Sequence, residues 1–120
     1  MKDHTLVIGA SENPSRYANM AIKRLRSKNI PVYAVGLRAG QVEDVMIQTG
    51  KPAFSEVDTV TLYLGPSRQL DMQDYILSLA PRRVIFNPGS EDEVFENRLR
   101  SAGILVEEGC TLVMLGTGQY

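Results

Sequence analysis

The residues best suited to chemistry lie in one short break, "GASENPSR" at residues 9–16, between an apolar run and a segment of helical period. Gly9 permits a tight turn, while Ser11, Asn13 and Ser15 offer neutral hydrogen-bonding side chains. A helix starting just beyond leaves backbone N–H groups without partners, and those donors suit an oxyanion, phosphate above all. The same residues also fit a plainer role, in which Ser11 or Ser15 only caps the helix. Arg16 either adds charge to the anion site or stands solvated. The dinucleotide fingerprint of spaced glycines is absent.

Elements able to position this loop recur along the chain. Apolar runs at residues 6–8, 32–35, 60–64, 84–86 and 104–106 read as strands buried on both faces. Ala18, Ile22 and Leu25 lie on one helical stripe, as do Met72, Ile76 and Leu79, where Pro81 ends the pattern. Phe95, Leu99 and Ala102 mark a further helix, with Ser90 and Glu93 as a reciprocal capping pair and Gly103 as its C-terminal cap. Residues 37–58 read poorly: Gly40, Gly50 and Pro52 interrupt them, and residues 42–47 fit a short strand or a helical turn.

Alternating strands and helices predict a single α/β domain over residues 1–120: a Rossmann-like, mostly parallel five-stranded sheet with helices on both faces. All strands then end on one edge, where "GASENPSR", "GLR", "GPSR" and "NPGS" converge. Ligands of such sheets sit beyond those ends, where strand order reverses.

The composition, 120 residues with 43% hydrophobic and 22% charged, is that of an ordinary globular domain. A formal charge of −1 argues against a nonspecific nucleic-acid binder, and no polybasic run or long apolar stretch points to a membrane. Any anion site must be local. With one cysteine, Cys110, and a start too short and too acidic for a signal peptide, the expected location is cytoplasmic.

Enzymes that use NAD place an acid at the end of the second strand to hold the ribose hydroxyls, but this chain reads Val35-Gly36-Leu37-Arg38 there. An arginine suits phosphate instead, which narrows the ligand class to phosphorylated nucleotides such as NADP or coenzyme A. Lys23, Arg24, Arg26 and Lys28 sit too far along the first helix, Lys28 about 18 Å from its start, and complement its C-terminal dipole. Arg82 and Arg83 precede a strand, which places them on the opposite edge as solvated residues. His4, the only histidine, falls on that edge too, as a surface residue. Glu91, Asp92 and Glu93 suit a helix first turn, and no His/Cys cluster or Asp-rich loop suggests a metal.

These loops, with the proline after the third strand and "AGILVEEGCTLVML" near the C-terminus, resemble the small bacterial coenzyme A-binding proteins. That family is similar to the coenzyme A-binding domain of the succinyl-CoA synthetase alpha subunit, and the likeness spans nearly the whole chain. It implies that Gly9, Ala10, Ser11, Asn13, Ser15 and Arg16 hold the pyrophosphate region, that Arg38 lies near the adenosine and its phosphate, and that Leu64 and Pro66 border the adenine. The implied cofactor is coenzyme A or an acyl-CoA. One departure stands out: relatives commonly read Val-Asn-Pro where this chain has Val35-Gly36-Leu37, an exchange expected to loosen the loop.

Neither the catalytic histidine nor the partner subunit of succinyl-CoA synthetase is visible, so the expectation is a non-catalytic binding module. Its partners would be the nucleotide ligand and an unidentified enzyme or a second copy of the chain. Two rivals stay open: an NADP-binding oxidoreductase-like protein, and a degenerate nucleotide-binding scaffold used for protein interaction. Cys110 reads first as an inert, buried small residue; a mixed disulfide with the coenzyme A thiol is the sharper alternative.

Overall fold

The computed structural model describes residues 1–120 and holds seven strands in one sheet, two more than the sequence predicts. In chain order the elements are β1 (His4–Ile8), α1 (Tyr17–Ser27), β2 (Val32–Val35), β3 (Gly40–Val42), β4 (Val45–Gln48), β5 (Val57–Leu62), α2 (Pro66–Gln69), a 3-10 turn (Leu70–Met72), α3 (Gln73–Leu79), β6 (Arg83–Phe86), α4 (Glu93–Ser101), β7 (Leu105–Glu108) and α5 (Thr111–Thr117). The sheet order is β3-β4-β2-β1-β5-β6-β7. Every pairing is parallel except the β3–β4 hairpin. That hairpin supplies the two extra strands, from the segment whose residues 42–47 fitted either strand or helix.

Parallel strands need crossovers, and the helices that make them cover both faces. On one face Ala18, Ile22 and Leu25 of α1 pack with Val7, Ala34, Val45, Ile47 and Leu115 of α5. On the other, Tyr75 and Ile76 of α3 and Phe95 and Leu99 of α4 pack on Leu6, Ile8, Val60, Leu62, Val84 and Phe86. The Phe86 and Phe95 rings meet edge to face, 5.8 Å apart. No helix is long and apolar enough to cross a membrane.

Helix ends correct several expectations. The cap of α4 is Asp92, whose carboxylate accepts the Phe95 N–H at 3.1 Å, while Glu96 accepts the Asp92 N–H at 3.2 Å. Ser90 instead donates to the Asn87 carbonyl at 2.7 Å and stays buried in the preceding turn. Ala102 is exposed rather than part of the buried stripe, because the helix has ended; Gly103 follows at φ +78° and closes it, with Ile104 N–H reaching Leu99. Arg83 is buried, not solvated, and His4 lies within β1, half-covered by a stack on Tyr33.

Candidate functional site

Strand order reverses at β1: the chain passes from β1 to β2 on one side, builds the hairpin, and returns to place β5 on the other. The loops after β1, β2 and β5 therefore meet at one edge, and their backbones touch. Gly9 and Ala10 both donate to the Val35 carbonyl, at 2.9 and 3.0 Å. Gly9 adopts φ +96°, and a Cβ there would stand 3.0 Å from the Tyr63 carbonyl. Gly36 donates to Gln48 at 2.9 Å, and a Cβ on it would lie 2.3 Å from the Ala10 carbonyl oxygen. Gly36, the first residue of the exchange noted above, is thus packed directly against Ala10.

Within the first loop, Ser11 Oγ accepts the Asn13 N–H at 3.0 Å, and Asn13 Oδ1 accepts both Ser15 N–H and Ser15 Oγ–H, at 3.0 and 2.8 Å. These bonds fold the loop on itself and leave neither serine capping α1. The N-cap is Arg16, exposed and with no side-chain bond to the helix. The N–H groups of Tyr17, Ala18 and Asn19 carry no acceptor. Asn19 Nδ2 donates to the Ser11 carbonyl at 3.0 Å and pins the loop over the helix start.

After β5, Leu64 is half-buried, and Pro66 opens α2 with Gly65 as N-cap. Gln69, fully buried, donates from Nε2 to the carbonyls of Leu64 (2.9 Å) and Ser90 (2.7 Å), tying this loop to the one after β6. Asn87 joins the same edge: its Nδ2 donates to Thr61 Oγ1 and the Leu62 carbonyl, and its Oδ1 accepts the Thr111 N–H. Cys110 is the half-exposed N-cap of α5 rather than a fully buried residue.

Three buried side-chain atoms lack partners: Asn19 Oδ1, Tyr63 Oη and Gln69 Oε1. All three belong to segments that follow β1 or β5, the strands flanking the reversal. They sit in separate surroundings: Asn19 beside the Ser11 carbonyl, Gln69 between the Leu64 and Ser90 carbonyls, and Tyr63 packed with the α1 and α5 cluster near Thr61 and Thr111. Burial also pushes the Tyr63 hydroxyl up to about 12, which keeps it a neutral donor.

Gly9, Ala10, Ser11, Asn13, Ser15 and Arg16 thus form one loop against the ends of β2 and β5, with Leu64 and Pro66 on its β5 side. Arg38 is exposed beyond β2 and makes no ion pair or side-chain hydrogen bond. Sequence reasoning missed Asn19, Gln69, Asn87 and Glu12. Glu12 reaches across to β3 and accepts the Gln41 N–H at 3.0 Å. The charged cluster at the far end of α1 has a structural use: Arg26 grips Asp44 of the hairpin through two bonds, at 2.9 and 2.8 Å.

A family described as a CoA binding domain matches residues 3–116. Among solved structures, an uncharacterized protein is 45% identical with a TM-score of 0.95, the alignment covering 100% of this chain and 99% of that one. A Thermus thermophilus protein, cell-free ID.343, is 23% identical (TM-score 0.87, covering 99% of this chain and 91% of that one). The dinucleotide-forming acetyl-coenzyme A synthetase 1 of Ca. Korarchaeum cryptofilum shares the fold at 19% identity and a TM-score of 0.72, over 87% of this chain and 25% of that one. No curated protein matches the chain.

Proposed function

Because the chain belongs to the CoA-binding domain family, we propose that it is a non-catalytic module for coenzyme A or an acyl-CoA. The phosphates are received by residues 9–16 and the start of α1. The observation that carries this reading is the set of three free N–H donors, on Tyr17, Ala18 and Asn19, at the strand-order reversal. Unpaired N–H groups and the helix dipole favour anionic oxygens without requiring a strongly basic protein, in keeping with the net charge of −1.

In this arrangement the pyrophosphate lies against Gly9, Ala10, Ser11, Asn13, Ser15 and Arg16. Arg38 faces the phosphorylated ribose, and Leu64 and Pro66 border the adenine. Gly9 and Gly36 serve by letting the backbones close up, so that the loop is preformed and little ordering accompanies binding. The module acts as a sensor or carrier of the coenzyme, or as the partner of a separate enzyme.

Isothermal titration with coenzyme A, acetyl-CoA and NADP tests the reading. Saturable heat is expected with the two coenzyme A ligands. Absence of both heat and thermal shift at millimolar coenzyme A refutes it, and preferential binding of NADP replaces it with the oxidoreductase-like alternative.

A further inference from the structure

The first loop carries an acid amid its neutral groups. Glu12 extends 29 residues ahead in sequence to accept the Gln41 N–H at 3.0 Å. Its stem fills the space over Gly40, where a Cβ would stand 2.4 Å from Glu12 Cδ and 2.6 Å from Cγ. Glycine at position 40 is therefore the seat of this side chain, and the contact joins the loop after β1 to the hairpin after β2. Arg38, two residues before that seat, makes no ion pair with Glu12.

We propose that Glu12 is a displaceable latch that sets ligand charge preference: it closes the gap between the phosphate loop and β3, and a phosphate on the adenosine ribose must push it aside. The inference rests on the nucleotide reading above. A carboxylate that reaches from the proposed phosphate loop to Gln41, three residues beyond the arginine proposed for the ribose phosphate, repels a dianion placed beside that arginine, whereas a free ribose hydroxyl can donate to it. Arg38 and Glu12 then act in opposite senses on the same group. The latched loop is the resting state, and a phosphorylated ribose selects the open one.

Three measurements test this. E12Q keeps an acceptor for Gln41 while removing the charge, so it should tighten coenzyme A about fivefold at low salt, with a smaller gain for dephospho-coenzyme A. Equal gains, no change or weaker binding overturn the latch while leaving the nucleotide reading intact; absence of binding to either protein overturns that reading instead. In the wild type, exchange of the Gln41 amide should accelerate when coenzyme A is added, and a slower amide contradicts displacement. Gly40→Ala, which evicts the side chain, should free the same amide without ligand; continued protection shows that Glu12 does not hold it.

Discussion

At the amino edge of the sheet, side chains satisfy one another. Arg82 grips Asp58 through two bonds, at 2.9 and 3.0 Å. The buried Arg83 lies over the Tyr120 ring at 4.5 Å, donates to Thr59 Oγ1 and the Tyr120 carbonyl, and faces Glu107 at 3.6 Å. His4, Tyr33 and Phe54 stack with 4.2 Å between successive rings. At the carboxyl edge the loops are held by side-chain bonds from Asn19, Gln69 and Asn87 as well as by glycine-permitted backbone contact, yet three N–H groups at the start of α1 are left unpaired. The amino edge closes on its own polar groups, whereas the carboxyl edge leaves open the N–H donors proposed above to receive a ligand's phosphates.

The sharpest way to break this contrast is to injure each edge separately. Arg83→Met removes the buried guanidinium that donates to Thr59 and the Tyr120 carbonyl; because its ion-pair partner Glu107 is 43% exposed and solvated, the loss comes mainly from those hydrogen bonds and amounts to about 2 kcal/mol. Denaturant melts should register that loss, while coenzyme A affinity of the folded protein stays at the wild-type value. A matching loss of affinity would mean that the two edges are not independent. Gly36→Ala should destabilise by about 2 kcal/mol, because the new methyl meets the Ala10 carbonyl and backbone must move. Unlike the first variant, it should also weaken coenzyme A binding measured by titration, since the loop proposed to receive the phosphates shifts with Ala10.

The same contrast explains what could be read from the amino-acid order. Strand runs and helix stripes are local patterns, so β1, β2, β5, β6 and β7 and helices α1, α3 and α4 were legible, and the parallel-sheet rule then gathered the loops at one edge. The hairpin was hidden because its two-residue turn is Glu43-Asp44, with Glu43 at φ +53°, where an Asn-Gly or Asp-Gly signal would be expected. Helix α5 was hidden because its apolar residues Leu112, Val113, Met114 and Leu115 form a continuous run with no helical spacing. The capping pair of α4 is displaced by two and three positions from the one inferred, Asp92 and Glu96 in place of Ser90 and Glu93, because several acceptors in a row compete for one role. Glu12, Asn19 and Gln69 could not be found locally: each acts by reaching another loop, and no spacing rule marks that.

Two carboxylates extend the comparison to pH. Hydrogen bonds from Arg82 hold Asp58 below the usual range, so its contribution is present above the unfolded value and fades as pH falls through the folded one. With Arg82 half exposed, screening limits this to about 1 kcal/mol. At the carboxyl edge, burial of Glu96, with Glu108 beside it, raises its value, so stability from that group is present in acid and declines as pH rises through the folded value. Chemical denaturation between about pH 3 and 7 should show Asp58→Asn losing part of the acid-side fall and Glu96→Gln losing part of the decline on the other side. Parallel profiles for both variants would remove the distinction.

The smallest effect on stability belongs to Arg38, and it bears most directly on binding. Because the side chain is exposed and unpaired, Arg38→Glu should change the unfolding free energy by no more than about 0.5 kcal/mol. Reversal of its charge beside a phosphorylated ribose should nevertheless weaken coenzyme A about tenfold at low ionic strength, with the loss shrinking as salt is added. Dephospho-coenzyme A lacks the phosphate assigned to this arginine and should lose much less. Equal losses for the two ligands would remove Arg38 from the phosphate contact and leave the free N–H groups at the start of α1 as the site's main source of anion affinity.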